Sequence, residues 1–376
     1  MKIPEKYRFV VELGKALHVY GAPSYKIQYY LSSVALRQGL KGSFMDFPGW
    51  VNYVFYEDED EQTYNYIECV PPGSLDLGAL SRVIEVTNKM IANEIDSVGV
   101  EKELRLILRE TKKTNHVLLF FAYAMCSGMF PLLIGTNWVS FGSAFLLGGL
   151  VYFIVYLSGK SDYIETVLES LVSFVVAVVA CLLTLVFPEL NVGLTIISAI
   201  IVFVPGLAIT IALEEMTSKN LVSGGAKLFD SVISLFKQFF GALLGLTIMS
   251  SFIDFKLLVN VSEMPSWMVF CALPMFSISL LPILKVRSKD MFLGVVTGTS
   301  GFLLTVLFSG AGVLLSTFTG TIAVVVISNF FSKLTKTPKI VFLTQGIIML
   351  VPGSKSFMGL SSSFLNATIV DSNNIY

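Results

Sequence analysis

From residue 116 onward the chain is a succession of apolar runs, each about long enough to cross a lipid bilayer, and few folds accept such a pattern. A helix needs about 20 mostly apolar residues to traverse the hydrocarbon core. Within lipid, every backbone polar group must be satisfied inside the structure, so the spanning element of such a chain is the helix. Nine candidate segments qualify: 116–135, 138–158, 166–187, 192–213, 231–253, 266–284, 291–309, 312–331 and 340–353. Composition agrees, because only 14 % of the 376 residues are charged and the mean hydropathy is +0.74, against roughly 25 % charged residues in soluble domains. The chain reads as a multi-pass membrane protein whose first partner is the lipid bilayer.

The charges are not evenly spread. Residues 1–116 hold 14 basic and 16 acidic side chains, which is 30 of the 53 in the chain. This divides the chain into a soluble-looking domain, 1–115, a first membrane unit, 116–253, and a second, 254–376. The opening "MKIPEKYRFVVELGKALH" has charges scattered through it and no continuous apolar core, so it does not resemble a signal peptide, and the first domain is expected to be cytosolic. Phe9, Val10, Leu13, Leu17 and Tyr20 recur at helical spacing. "GAPSYKIQYYLSSVALRQG" restarts a helix with Pro23 in its first turn and Gly39 at its end. "SFMDFPGWVNYVFY" and "QTYNYIECV" read as strands joined by a solvated acidic turn, Glu57 to Glu61. "LDLGALSRVIEVTNKMIANEI" and "GVEKELRLILRETKK" read as helices again, completing a small α+β domain.

His18, Ser24 and Asp46 are the residue types of a nucleophilic triad, but neither a strained serine turn nor a fixed spacing accompanies them. Ser24 reads as a helix cap and His18 as a helix-surface residue; no enzymatic activity is expected. Two histidines and no cysteine pair leave a transition metal almost no ligands, so neither a metal nor a cofactor is expected, nor a nucleic-acid partner. Cys69, Cys126, Cys181 and Cys271 are widely spaced and read as small buried hydrophobes.

Orientation follows from the positive-inside tendency. Arg105, Arg109, Lys112 and Lys113 crowd the entry to the first span. Counted from there, the inner loops hold Lys160, Lys219, Lys227, Lys285, Arg287, Lys289, Lys333, Lys336 and Lys339, and the outer segments hold Lys256 and Lys355. Asn260 in "NVS" and Asn366 in "NAT" carry the glycosylation pattern, and both fall outside on this count.

Two of the apolar runs are interrupted. "IIVFVPGLAIT" places Pro205 and Gly206 inside the fourth span, and "GIIMLVPGSKS" places Pro352 and Gly353 at the end of the ninth. Proline removes a backbone donor and clashes with the preceding turn, so both helices should break there. The two "VPG" motifs and the order of spans repeat at an offset of about 150 residues, which suggests a five-span unit. An odd number of spans inverts the second unit relative to the first, and the sequence stops at Tyr376 before a tenth span appears. A partner chain or a second copy is one way to complete it. Inverted repeats with interrupted helices point to a secondary transporter with its substrate near the midplane. A packing kink without a ligand is the plainer alternative, and a transport-inactive, truncated membrane protein acting through an interaction or regulatory role is the alternative function.

"GAPSYKIQYYLSSVALRQGL", "FMDFPGWVNYVFY", "FVPGLAITIALEEMTSKNLVSGGAKLFDSV" and "IIMLVPGSKS" resemble the threonine/serine exporter family, especially its fungal pheromone-regulated members. The resemblance runs from about Phe9 to Ser356. It implies a cytosolic domain followed by two five-span units, with export of small hydroxylated amino acids in exchange for protons. The substrate-pathway candidates are then Pro205, Gly206, Pro352 and Gly353, with Gln345, Thr297 and Thr299 as polar residues inside spans. Gln345 can hold a substrate carboxylate or bond a neighbouring helix, and the threonines can bond their own backbone. Glu214, Glu215 and Lys237 are candidates for proton coupling, against a plainer reading as interfacial or snorkelling side chains.

Overall fold

The computed structural model describes residues 3–56, 63–71, 73–95, 97–109, 115–134, 137–255, 265 and 267–350. The N-terminal unit consists of helices α1 (Glu5–Val19) and α2 (Ser24–Arg37), strands β1 (Lys41–Phe47), β2 (Trp50–Tyr56) and β3 (Thr63–Cys69), and helices α3 (Leu77–Ile91) and α4 (Ser97–Arg109). The strands form an antiparallel sheet in the order β1-β2-β3, with Phe47 opposite Trp50 and Trp50 opposite Cys69. Residues 43–56, expected as one strand, are therefore two. Pro48 and Gly49 turn the chain between them, and Gly49 takes φ +93°, the left-handed backbone that a Pro-Gly turn requires of its second residue. The acidic run 57–61 lies outside the described residues.

Alternation along β2 turns Val51, Tyr53 and Phe55 into the core, as a period of two residues dictates. They meet α1. Tyr7 stacks on Phe55 with ring centroids 4.1 Å apart. Gly14 leaves room for the Tyr53 phenol, whose Oη donates to the Val11 carbonyl at 3.1 Å.

Ten helices follow: α5 (His116–Ile134), α6 (Trp138–Ser158), α7 (Asp162–Leu183), α8 (Val192–Ala199), α9 (Gly206–Thr217), α10 (Leu221–Ser250), α11 (Met268–Ile283), α12 (Ser288–Leu307), α13 (Val313–Thr335) and α14 (Ile340–Leu350). Six of them, α5, α6, α7, α10, α12 and α13, are long and apolar enough to cross a membrane. The fourth expected span is a pair bent by 53°, and α11 and α14 are shorter apolar helices. Among the described residues, then, all nine expected segments are helical, but full-length spans number six, or seven with the bent pair. The fifth segment begins at Leu221 rather than 231. Lys227 and Asp230 look like loop charges in sequence, whereas in the structure the α9–α10 turn is tight and the helix runs straight through them.

α6 packs against α5, α7 and α8, α12 packs against α11, α13 and α14, and α5 packs on α11 across the two halves. Small residues set the close approaches: a Cβ at Gly241 or Gly245 of α10 would meet the Ser170 or Phe174 carbonyl of α7. Phe121, Leu146, Phe153, Leu314 and Phe318 remain exposed on the outer faces, which suits a solvent of lipid tails as apolar as the side chains themselves. Cys126 and Cys181 are buried as expected, but Cys69 and Cys271 are exposed.

The N-terminal unit sits at one end of the bundle and touches both halves. α3 reaches the α11–α12 turn, where the Leu77 amide donates to the Leu284 carbonyl at 3.1 Å. α2 and β1 reach α9 and α10.

Candidate functional site

The break in the fourth span falls where the proline predicts it. α8 ends at Ala199, a single 3-10 turn covers Ile201–Phe203, and Pro205 stands immediately before α9, with buried Gly206 as its first residue. A break frees carbonyls, which must find donors when buried. Gln238 of α10, fully buried, donates to the Phe203 carbonyl at 2.9 Å, and Ser127 of α5 donates to the Ala199 carbonyl at 3.1 Å. The amides of the first turn of α9 face back toward the same point, as at any helix N-terminus. Gln238 is not among the sequence-based candidates, although a polar residue inside a span is the signal that marks one.

α9 packs on α14, so the broken span meets the helix that leads into the second "VPG". Pro352 and Gly353 themselves lie outside the described residues, as do Asn260 and Asn366. Gln345 is on α14 and is 2 % exposed, and among the described residues neither its Oε1 nor its Nε2 has a hydrogen-bond partner. Its amide lies against Gly294 of α12, where any Cβ would collide with Oε1, and Gly298 one turn further borders Ser277 and Met349. Leaving a buried polar group unpaired costs about 1–3 kcal/mol. An amide in that state is an unfilled donor and an unfilled acceptor facing a glycine-lined wall. Thr297 and Thr299 instead bond their own helix, donating to the Leu293 and Val295 carbonyls at 2.8 and 2.7 Å.

At its other end α9 carries Glu214 and Glu215 into the N-terminal unit. Glu215 is fully buried and accepts from the Ser24 amide at 2.8 Å and from Lys227 Nζ. Tyr25 donates its phenol to Glu214 at 2.6 Å, and Gln28 donates to Asn220 at 3.0 Å. Burial and the bond to Glu214 both push the Tyr25 phenol up, so it stays a donor. Lys227 lies 12 residues beyond Glu215, and its meeting with Glu215 across the α9–α10 turn was not read from sequence.

His18, Ser24 and Asp46 come together here. His18 is 7 % exposed, not on the helix surface, and its Nδ1 bonds Asp46 Oδ1 at 2.6 Å. Ser24 opens α2 without capping it; its hydroxyl donates to Asp46 Oδ2 at 2.6 Å and lies 2.7 Å from the Ser223 hydroxyl. The carboxylate is the hub. In a nucleophilic triad the imidazole would stand between the serine and the carboxylate, and that geometry is not present. Lys237, by contrast, lies away from this cluster and sits 3.6 Å from Glu169 of α7.

Lys26, next to this junction, is part-buried. Burial lowers its ammonium to about 8, with Glu214 opposing the shift and Lys339 adding to it. Its acylation by an amine-reactive reagent should therefore level off near pH 8, about two units below ordinary exposed lysines. Peptide mass spectrometry of the acylated protein over a pH series measures that midpoint, and a midpoint near 10.4 would contradict it.

Comparison with known proteins bears on what this site is for. The threonine/serine exporter family model ThrE matches residues 8–249, and a second model of the same description, threonine/serine exporter, matches residues 268–373. Pheromone-regulated membrane protein 10 of Eremothecium gossypii is 25 % identical over 385 residues, covering 99 % of this chain and 50 % of that protein. The Kluyveromyces lactis protein of the same name is 28 % identical over 365 residues, covering 93 % of this chain and 37 % of its own. The Saccharomyces cerevisiae protein is 26 % identical over 392 residues, covering 99 % and 49 %. The chain thus spans about half or less of the length of these curated relatives. No solved structure matches it. With family models covering both the N-terminal unit and the helical bundle, the chain is a multi-pass membrane protein that belongs to the threonine/serine exporter family.

Proposed function

We propose that the chain exports small hydroxylated amino acids in exchange for protons, with the substrate held where the broken helices meet. The buried amide of Gln345, without a hydrogen-bond partner among the described residues, carries this reading. Its Nε2 is suited to a substrate carboxylate and its Oε1 to an ammonium or hydroxyl, and Gly294 lets this amide lie directly against α12. Pro205 and Gly206 supply the break in the fourth span, Pro352 and Gly353 are its proposed counterpart in the ninth, and Glu214 and Glu215 are the proposed proton-coupling residues at the cytosolic mouth. The matched neighbours of α6 and α12 are in keeping with a repeated unit, which five spans per unit would invert. Asn260 and Asn366 are the proposed glycan acceptors on the opposite side.

Gln345→Leu separates this reading from a packing kink. It removes an unsatisfied buried amide at similar volume, so the empty protein should become more stable by about 1–3 kcal/mol. Efflux of labelled threonine and serine from reconstituted vesicles should fall at least about tenfold, the loss of one good hydrogen bond or more. A variant with unchanged flux would sink the assignment.

A further inference from the structure

The buried network at the junction joins two chains of groups that are distant in sequence. On the N-terminal side, His18 Nδ1 donates to Asp46, which also accepts from Ser24. On the bundle side, Ser223 bonds the Ser24 hydroxyl, Glu215 accepts from the Ser24 amide, and Lys227 Nζ lies 3.5 Å from the Ser24 hydroxyl while also binding Glu215. Both ends are open. His18 Nε2 and Glu215 Oε2 are buried and have no hydrogen-bond partner among the described residues.

Within the bonded set Asp46 and Glu215 face the one ammonium of Lys227, and one additional proton neutralises that set; Glu214, Lys26 and Lys339 surround it with one negative and two positive groups. With Nδ1–H committed to Asp46, the free lone pair on the His18 imidazole is Nε2, an unoccupied acceptor at the end of the chain. The surrounding titratable groups are Tyr25 and Lys26 on α2, Tyr53 on β2, Glu214 on α9 and Lys339 before α14. Glu214 is bonded to Tyr25, which leaves Asp46 and Glu215 as the acids bonded directly within the network.

The geometry points to a proton-binding site shared between the N-terminal unit and the bundle, in which His18 and Asp46 take up one proton whose affinity is set across the junction by Glu215. The N-terminal unit is then part of the coupling machinery rather than an appendage. This deepens the exporter reading and rests on it for the role of the proton in transport, but the existence of the site can be tested without transport.

The experiment is a titration of the two histidine side chains by nitrogen NMR on the full chain in nanodiscs, with His18 assigned by its loss in His18→Gln. His18 is expected to titrate at Nε2, and the Ser24 amide, bonded to Glu215, should shift with the same midpoint in the wild-type protein. Glu215→Gln keeps an acceptor for the Ser24 amide but removes the charge, and should lower the His18 proton affinity. An unmoved His18 midpoint in Glu215→Gln, or a Ser24 amide indifferent to the His18 titration, overturns the shared site. In vesicles, the same variant should shift the pH dependence of threonine efflux in the same direction as the His18 midpoint. If wild-type vesicles move no threonine, the exporter reading fails while the titration still decides this inference.

Discussion

Arg287→Ala should destabilise the protein by about 3–5 kcal/mol, the loss expected when one member of a buried ionic group is removed. Arg287 precedes α12 and joins three acceptors at once. Its Nη1 and Nη2 donate to Glu85 of α3 at 2.8 and 2.6 Å, and its Nε donates to Asp290 at 2.8 Å. Asp290 is 1 % exposed and accepts from Thr337 at 2.8 Å. Without the guanidinium it is left as a buried carboxylate with one hydroxyl donor. Arg287→Lys should recover only part of the loss, since an ammonium cannot match the planar fork. Burial raises the Glu85 carboxyl, but the bonds and charge of Arg287 outweigh it and hold it below the ordinary range. A depressed carboxylate stabilises above its unfolded pKa and loses that contribution as pH falls through the folded one. The gap between wild type and variant should therefore be full at neutral pH and shrink below about pH 4. Denaturant titration in detergent at pH 7 and pH 3.5 measures both effects. An equal gap at the two pH values would contradict the ion-pair account.

Lys227→Ala should be comparably damaging, about 3–5 kcal/mol, because Glu215 is fully buried and would keep only the Ser24 amide as a bonded partner. The double variant Lys227→Ala/Glu215→Gln should regain most of the lost stability at neutral pH. If the double variant is as unstable as the single one, the cost lies in packing of the lysine stem rather than in the orphaned carboxylate.

These two sites hold the N-terminal unit to both halves of the bundle. Ser24, Tyr25 and Gln28 grip the α9–α10 turn, and Glu85 grips the α11–α12 turn. If the two halves rock against each other during transport, as alternating access requires, one of these grips has to loosen. The first is built around a set of groups one proton short of neutrality, whereas the second is an arginine fork between two carboxylates. The first is the one whose strength a proton changes: taking up that proton neutralises the bonded set and tightens the grip, and releasing it loosens the grip.

Much of this was legible from local signals. Apolar run length located every helix of the bundle, and Pro205-Gly206 located the bend, because both depend on a few neighbouring residues and on the solvent they meet. The expected single strand over 43–56 hides the turn at Pro48-Gly49, because the β-branched and aromatic residues on either side dominate the local signal. The start of α10 was misplaced because Lys227 and Asp230 look like loop charges until the partner of Lys227 is known. His18 was placed on a surface because helical periodicity in α1 reports which residues face the sheet, and His18 is covered by a different neighbour. Residues 18 and 46 bond across 28 positions, Ser24 and Ser223 across 199, and Arg287 and Glu85 across 202. No spacing rule reaches that far in a single sequence.

The central claim is that threonine and protons move in opposite directions through one site, and the most direct measurement follows both in the same vesicle. Purified protein is reconstituted with labelled threonine and a pH-sensitive dye inside, and the membrane potential is clamped. An acidic exterior should accelerate threonine efflux, and the lumen should acidify in step with the label that leaves; valine in place of threonine should give neither signal. Threonine leaving with no accompanying change in lumenal pH, or no threonine leaving at all, would contradict the account.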